Sequence, residues 1–180
     1  PFSPSRTAPV ISPSFSINMA SVDNTQTYLG DGTGTITLHG AQVTKANWAG
    51  PYTKTTTASV DTGNIRSVVA QKQNLFLQSA DPSHTSWTKT NATHALNAVA
   101  PDGTTTADTF IDTNDGGLTY HYDYQTLTSI VLGVVHTISV IAKAGTKSWL
   151  NIFGQTGPAN LYGYFNLATG VVGTTNATAS

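Results

Sequence analysis

Alternation of apolar and polar positions is the clearest pattern along the chain. In "HTISVIAKAG" (136–145), Ile138, Val140 and Ala142 fall on one side of a two-residue period. In "YLGDGTGTITLHG" (28–40), a Gly-Asp-Gly turn precedes a run in which Ile36 and Leu38 share one side and threonines the other. A period of two places alternate side chains on opposite faces of a β-strand. We therefore predict a half-buried strand in each segment.

Turn signals divide the second half of the chain into short segments. Asp-Pro, Pro-Asp-Gly, Asp-Gly-Gly and Thr-Gly steps recur there, and such steps favour tight turns. Many short strands at this spacing are typical of an antiparallel sandwich or jelly roll. We predict strands at 74–79, 86–90, 93–99, 106–112, 118–128, 134–143, 147–153, 161–167 and 171–174.

Composition agrees with an all-β protein and excludes several partners. The chain is rich in Thr, which favours strands, and all nine acidic residues are Asp. Charged residues make up 9% of the chain and the net charge is -1, against roughly 25% charged residues in an average domain. Neither nucleic acid nor membrane insertion is therefore expected, since there is no basic patch and no long apolar run. Cysteine is absent, which excludes disulfides and thiolate metal sites.

Three regions differ in character. Residues 1–19, "PFSPSRTAPVISPSFSINM", hold four prolines and five serines, and we predict an extended anchoring arm that lies on a neighbouring chain. Folding of the arm on its own domain is the alternative. Residues 20–73 are predicted to form a small β-rich unit, and residues 74–180 a sandwich module.

Five segments of the second half of the chain follow one another in a fixed order. They are Asn74-Leu75-Phe76, Trp87-Thr88-Lys89, Pro101 to Asp108, Ser139 to Gly145, and Phe165 to Gly170. Together they resemble a jelly-roll module of tailed-bacteriophage virion proteins, found in tail fibres and in head spikes or fibres. That module is itself similar to carbohydrate-binding modules. The resemblance covers about residues 74–175, and Ile141 departs from it where Tyr is usual.

The resemblance implies a virion structural protein, a head or tail fibre or spike component. It implies that residues 1–73 dock on other virion proteins, that the chain forms a homo-oligomer such as a trimer, and that the protein is located in the virion. A Gly-Trp-Tyr-Arg strand that usually follows the Thr-Gly turn is missing, so we expect a jelly roll whose C-terminal edge is incomplete or covered by a partner. The alternative function is a carbohydrate-binding module that engages host-surface glycans.

Aromatic residues supply the candidate binding site. In "YHYDY" (120–124), Tyr120, Tyr122 and Tyr124 share one face of a strand. This face is a binding platform, a buried surface or a subunit interface, three interpretations that the sequence leaves open. Trp149 and Trp87 are further candidates for sugar stacking, although packing between the sheets is the favoured interpretation of both.

Metal and catalytic chemistry find little support. Asp112, Asn114 and Asp115 offer oxygen ligands that could suit calcium, but their spacing is not that of a helix-flanked calcium loop, and a plain turn is favoured. The paired carboxylates of a glycosidase and the common nucleophile motifs are missing. We therefore predict a protein that is not an enzyme and needs no cofactor.

Overall fold

A computed structural model describes residues 14–44, 52, 54–56, 60–61, 73–113, 116–128, 130, 134–155 and 160–176. These residues form antiparallel strands and no helix, which confirms the all-β prediction. Within the described ranges, no helix is long and apolar enough to cross a membrane. The strands are β1 (Ser14–Ala20), β2 (Thr27–Leu29), β3 (Thr35–Thr44), β4 (Val60–Asp61), β5 (Gln73–Asn74), β6 (Thr88–Thr90), β7 (Ala92–Ala98), β8 (Ala107–Asp112), β9 (Leu118–Tyr120), β10 (Tyr122–Thr126), β11 (Thr137–Ala144), β12 (Trp149–Gln155), β13 (Asn160–Asn166) and β14 (Val171–Thr175).

Two large sheets share one hydrophobic core. The six-stranded sheet has the order β14-β13-β12-β1-β10-β6, and the four-stranded sheet has the order β11-β3-β8-β7. Small sheets pair β2 with β9 and β4 with β5. This is the architecture of an antiparallel β-sandwich, while jelly-roll connectivity remains a prediction. The core includes Phe15, Ile17, Met19 and Leu150 from the six-stranded sheet, and Ile36, Leu38, Val43 and Phe110 from the four-stranded sheet.

Strand β1 lies inside the six-stranded sheet, between β12 and β10. Its sequence SFSINMA alternates, so that Phe15, Ile17 and Met19 enter the core while smaller polar side chains point the other way. The prediction that residues 1–19 form an arm on another chain is therefore wrong for residues 14–19, because they complete the chain's own sheet. The remainder of the predicted arm lies outside the described residues.

Strand β3 likewise belongs to the sandwich, since it lies between β11 and β8. The predicted boundary at residue 73 and the separate unit 20–73 are therefore wrong for residues 20–44, and most of the rest of that unit lies outside the described residues. Gly40 and Ala41 of β3 lie opposite the single Val140 of β11, which is a β-bulge. Gly40 has a φ of 70°, which glycine adopts at little cost. Before the bulge, the even-numbered residues Ile36 and Leu38 face the core. After the bulge, the odd-numbered residues Ala41 and Val43 face it.

The strands predicted between residues 86 and 174 coincide with observed ones. The predicted strand 118–128 is two strands, β9 and β10, separated at His121. Alternation in β11 is also as predicted, because Ile138, Val140 and Ala142 pack against the core while Ile141 is exposed.

The predicted strand 74–79 is wrong, because only Gln73–Asn74 is a strand there. The side chain of Asn74 connects this segment to β3. Its Oδ1 accepts hydrogen bonds from the amides of Val43 and Phe76, and its Nδ2 donates to the carbonyl of Ala41. This fixes Phe76 in the core, where its ring centroid lies 4.9 Å from that of Trp87. Packing of Trp87 between the sheets is confirmed, since it is buried in the core cluster.

A cluster of ionisable side chains interrupts the apolar core between β7, β8 and β10. Asp123 Oδ2 lies 2.6 Å from His94 Nε2, and both side chains are buried. Asp108 is also buried, and neither of its carboxylate oxygens has a hydrogen-bond partner of good geometry. Burial raises the pKa of Asp108, and the carboxylates of Asp81 and Asp123 raise it further, while His94 and the Ser83 amide oppose them. A neutral Asp108 therefore costs the folded state less than an ionised one.

Replacing Ile17 by Ala is expected to lower the free energy of unfolding by about 2–5 kcal/mol, because the change opens a cavity beside a fully paired strand. The matched control is Ile141→Ala, since Ile141 is exposed on the edge strand β11, and its effect should stay within about 0.5 kcal/mol. Urea denaturation of both variants checks the prediction. Equal, small losses of unfolding free energy in the two variants would show that packing of Ile17 of β1 does not stabilise the core.

Asp108→Asn is expected to raise the free energy of unfolding at pH 7, because the substitution removes a carboxyl group whose ionised form is disfavoured by burial. A carboxyl group whose pKa is higher in the folded than in the unfolded protein binds more protons when the protein is folded. The free energy of unfolding therefore falls as the pH rises from the unfolded-state pKa through the folded-state pKa. The gain should therefore disappear near pH 4, as measured by denaturation at both pH values. Asp102→Asn is the control, because Thr104 holds the pKa of that exposed carboxyl below its ordinary value, and it should bring no gain. A loss of stability for Asp108→Asn at both pH values would contradict a pKa raised by burial.

Candidate functional site

The face of the six-stranded sheet that points away from the core carries an ordered row of side chains, here called the aromatic row. Strand registers place Tyr124 of β10 beside Ser16 of β1, Ser16 beside Phe153 of β12, and Phe153 beside Tyr162 of β13. Directly paired residues lie on the same face of a sheet. The aromatic row thus crosses four strands, with rings on both sides of one small serine.

A second row lies two residues further along each strand and is here called the amide row. It consists of Tyr122, Asn18, Asn151 and Tyr164. Asn151 Oδ1 accepts hydrogen bonds of 2.8 Å from both Asn18 Nδ2 and Gln26 Nε2, and Asn151 Nδ2 donates to the carbonyl of Gly163. The two asparagines are buried, so this network holds Gln26 and its loop over the sheet.

Tyr164 is the buried ring of the amide row. Burial raises the pKa of Tyr164 to about 12, the nearby Tyr162 and Asp23 raise it as well, and a hydrogen bond with Gln26 opposes them. The phenol therefore stays protonated at neutral pH. The ring of Tyr162 meets that of Tyr164 edge-on, with centroids 6.1 Å apart, so the buried ring supports the more exposed one.

A cleft of about 420 Å³ opens beside the two rows. This volume lies in the range of small-molecule sites, about 300–1,000 Å³. Tyrosine rings, one phenylalanine ring and the polar side chains of the loop after β1 line it. The lining residues are Asn24, Thr25, Gln26, Thr27, Tyr120, Phe153, Asn160, Tyr162 and Tyr164.

Tyr120, Tyr122 and Tyr124 share one face, as predicted, and His121 and Asp123 point to the other. Tyr120 is 49% exposed and lines the cleft. Tyr122 and Tyr124 are half-buried in the two rows, with ring centroids 5.9 Å apart. The interpretation of this face as a surface buried within the chain is therefore wrong, whereas the binding platform and the subunit interface stay open.

Trp149 does not pack between the sheets, so that interpretation is wrong. It lies opposite Ala20 and Asn166 on the outer face. Its ring fills the space above Gly173, where a Cβ atom would lie 2.7 Å from Trp149 Cζ3. Trp149 is half-buried and supports the edge strand β14, but it is not among the residues that line the cleft.

Of the calcium candidates, only Asp112 lies within the described residues. Asp112 is buried, and its Oδ1 accepts a 2.8 Å hydrogen bond from the amide of Gly34. Asn114 and Asp115 lie outside the described residues. In the part of the chain that the structure describes, no three His, Asp or Glu side chains are arranged to hold a metal ion.

Several residues of the site were not predicted from the sequence. They are Ser16 and Asn18 of β1, Gln26, Phe153 of β12, and Tyr162 and Tyr164 of β13. A signal for the last two was present, since "NLYGYFN" alternates two tyrosines with a glycine. Nothing local signalled Gln26, because its role depends on Asn151, far away in the chain.

The chemistry available on this face is stacking and hydrogen bonding. Aromatic rings present apolar faces, while amide and hydroxyl groups donate and accept hydrogen bonds. Comparison of the chain with protein-family models, with curated protein sequences and with solved structures found no match. The site is therefore interpreted from its own geometry.

Asn151→Ala is expected to cost roughly 1–3 kcal/mol of unfolding free energy, because it leaves the donors of Asn18 and Gln26 without their shared acceptor. Asn97→Ala is the matched control, since Asn97 is exposed and its amide oxygen accepts one bond from Thr109, and its effect should be within about 0.5 kcal/mol. Thermal and urea denaturation measure both. Indistinguishable variants would show that the amide row does not organise this face.

Proposed function

We propose that the chain is a glycan-binding β-sandwich displayed by a bacteriophage fibre or spike, and that the cleft and the aromatic row form its binding surface. The observation that carries the glycan-binding proposal is the cleft itself, because it combines the rings of Tyr120, Phe153 and Tyr162 with the amides of Gln26 and Asn160. Protein function resides in the site rather than in the fold, so this surface weighs more than the sandwich architecture.

Sugar recognition needs the two kinds of group that meet here. The C–H faces of a pyranose ring pack on an aromatic ring, and its hydroxyl groups need donors and acceptors around the rim. Rigid positioning reduces the entropy lost on binding. Tyr164 and the Asn18–Asn151–Gln26 network supply it, since they fix the ring of Tyr162 and the loop that faces it.

The virion setting is supported by the five motif segments between Asn74 and Gly170, which resemble the jelly-roll module of phage virion proteins. In this setting the sandwich is displayed outward, and docking on capsid or tail proteins involves N-terminal residues other than the core strands β1 and β3. A homo-oligomer, such as a trimer, is part of the same proposal. Mass spectrometry and antibody labelling of purified particles test this setting independently of sugar binding.

Tyr162→Ala is expected to weaken glycan binding about tenfold or more, because it removes a stacking surface worth on the order of 1.4 kcal/mol. Tyr162→Phe should keep most of the affinity, since the ring remains. Binding is measured by screening the chain on immobilised bacterial surface polysaccharides and then by calorimetry with the best ligand.

Ile141→Ala is the control for loss of an exposed apolar group, because Ile141 lies on the other sheet. It should leave affinity unchanged. Absence of binding to every polysaccharide tested, or equal losses for Tyr162→Ala and Ile141→Ala, would refute the glycan-binding proposal.

A further inference from the structure

Building on the proposed glycan-binding function, we infer that the outer face binds an uncharged, linear oligosaccharide of several sugar units, and that the chain crosses the strands from the cleft toward Tyr124. Two independent features of the site lead to this ligand class. One is the charge around the cleft, and the other is the length of the aromatic row.

The charge argument starts from the lining of the cleft. Among the described residues, no Lys, Arg or His lines the cleft or belongs to either row. Lys89, on the neighbouring strand β6, points inward, and its Nζ donates to the carbonyls of His84 and Trp87. Cationic side chains bind anionic groups through charge-assisted hydrogen bonds, and the described residues of the cleft and the two rows include none.

A negatively charged residue lies next to the cleft. Asp23 precedes the lining loop, and it accepts hydrogen bonds from the amide and hydroxyl of Thr174 at 2.8 and 3.0 Å. Its charge reaches the site, because it contributes to the raised pKa of Tyr164. A carboxylate or phosphate on the ligand would meet repulsion here without a compensating partner.

The length argument follows from the sheet geometry. Neighbouring strands lie about 4.8 Å apart, so the three steps from β10 to β13 span about 14 Å. Tyr124 and Tyr162 stand at the two ends, with Ser16 and Phe153 between them. A single sugar covers one ring. A linear oligosaccharide reaches both ends of the aromatic row and gains binding free energy from the ring at each end.

The experiment compares neutral ligands of increasing length with anionic ones. Glucose and N-acetylglucosamine, with their oligomers up to the hexasaccharide, are titrated against the chain by calorimetry, as are neutral bacterial polysaccharides, polygalacturonate and polysialic acid. We expect affinity to rise at least tenfold from a monosaccharide to a tetrasaccharide of the series that binds, and to be unchanged at high salt, since no ion pairs form. Anionic ligands should bind at least tenfold more weakly.

Two variants locate the ligand. Tyr162→Ala should weaken both short and long ligands about tenfold, because Tyr162 lines the cleft. Tyr124→Ala should weaken only the tetrasaccharide and longer ligands, by about fivefold, because it lies at the far end of the aromatic row. Tyr124→Phe, the conservative control, should leave binding of all lengths nearly unchanged.

The outcomes separate this inference from the function on which it rests. Tighter binding of polygalacturonate or polysialic acid, lost in Tyr162→Ala, would keep the glycan-binding function and overturn the uncharged ligand. Equal affinity for mono- and tetrasaccharides, or a Tyr124→Ala variant that binds long ligands normally, would overturn the inference that the ligand extends along the whole aromatic row. No binding to any sugar would overturn both proposals.

Discussion

The insertion of β1 between β10 and β12 is the constraint on which the rest of the molecule depends. Its partners lie more than a hundred residues away in the chain, at Asp123 and Ile152 opposite Ile17. Until β1 is in place, its neighbours β10 and β12 each lack a partner strand on one side. Phe15, Ile17 and Met19 are then also missing from the core. Such non-local pairing is entropically expensive and slows folding.

The same strand also determines the binding face. Because side chains alternate, the core residues Phe15 and Ile17 of β1 are each followed by a small polar residue on the outside. Ser16 is buried between its strand partners Tyr124 and Phe153, and Asn18 donates a hydrogen bond to Asn151 in the amide row. Strand β1 thus contributes both to the stability of the core and to the face that we propose binds the ligand.

Fold class was accessible from the sequence, but the site was accessible only in part. Alternation and turn residues located the strands between 86 and 174, and the "YHYDY" pattern located three tyrosines of the outer face. Strand β1 was missed because the prolines before it dominate the composition of residues 1–19 and obscure the period in "SFSINMA". Phe153 and Gln26 were missed because their neighbours are set by register between distant strands, which hydrophobic pattern alone does not specify.

Strand β10 reverses the usual distribution of polarity, and the reversal lies behind the proposed binding face. A half-buried strand normally sends apolar side chains inward and polar ones outward, yet β10 and the residue before it turn His121, Asp123 and Gln125 inward. Each inward group is bonded to a different part of the chain. Asp123 contacts His94, Gln125 exchanges two hydrogen bonds with the backbone of Leu77, and His121 lies within hydrogen-bonding distance of the carbonyls of Asn91 and Tyr28.

Burying these groups costs more than burying apolar side chains, so stability alone does not account for the reversal. The tyrosines on the other side of the same strand do, because a two-residue period cannot turn rings outward at 120, 122 and 124 without turning 121, 123 and 125 inward. Violations of a local rule concentrate where function requires them. The polar interior is thus a structural consequence of the aromatic face.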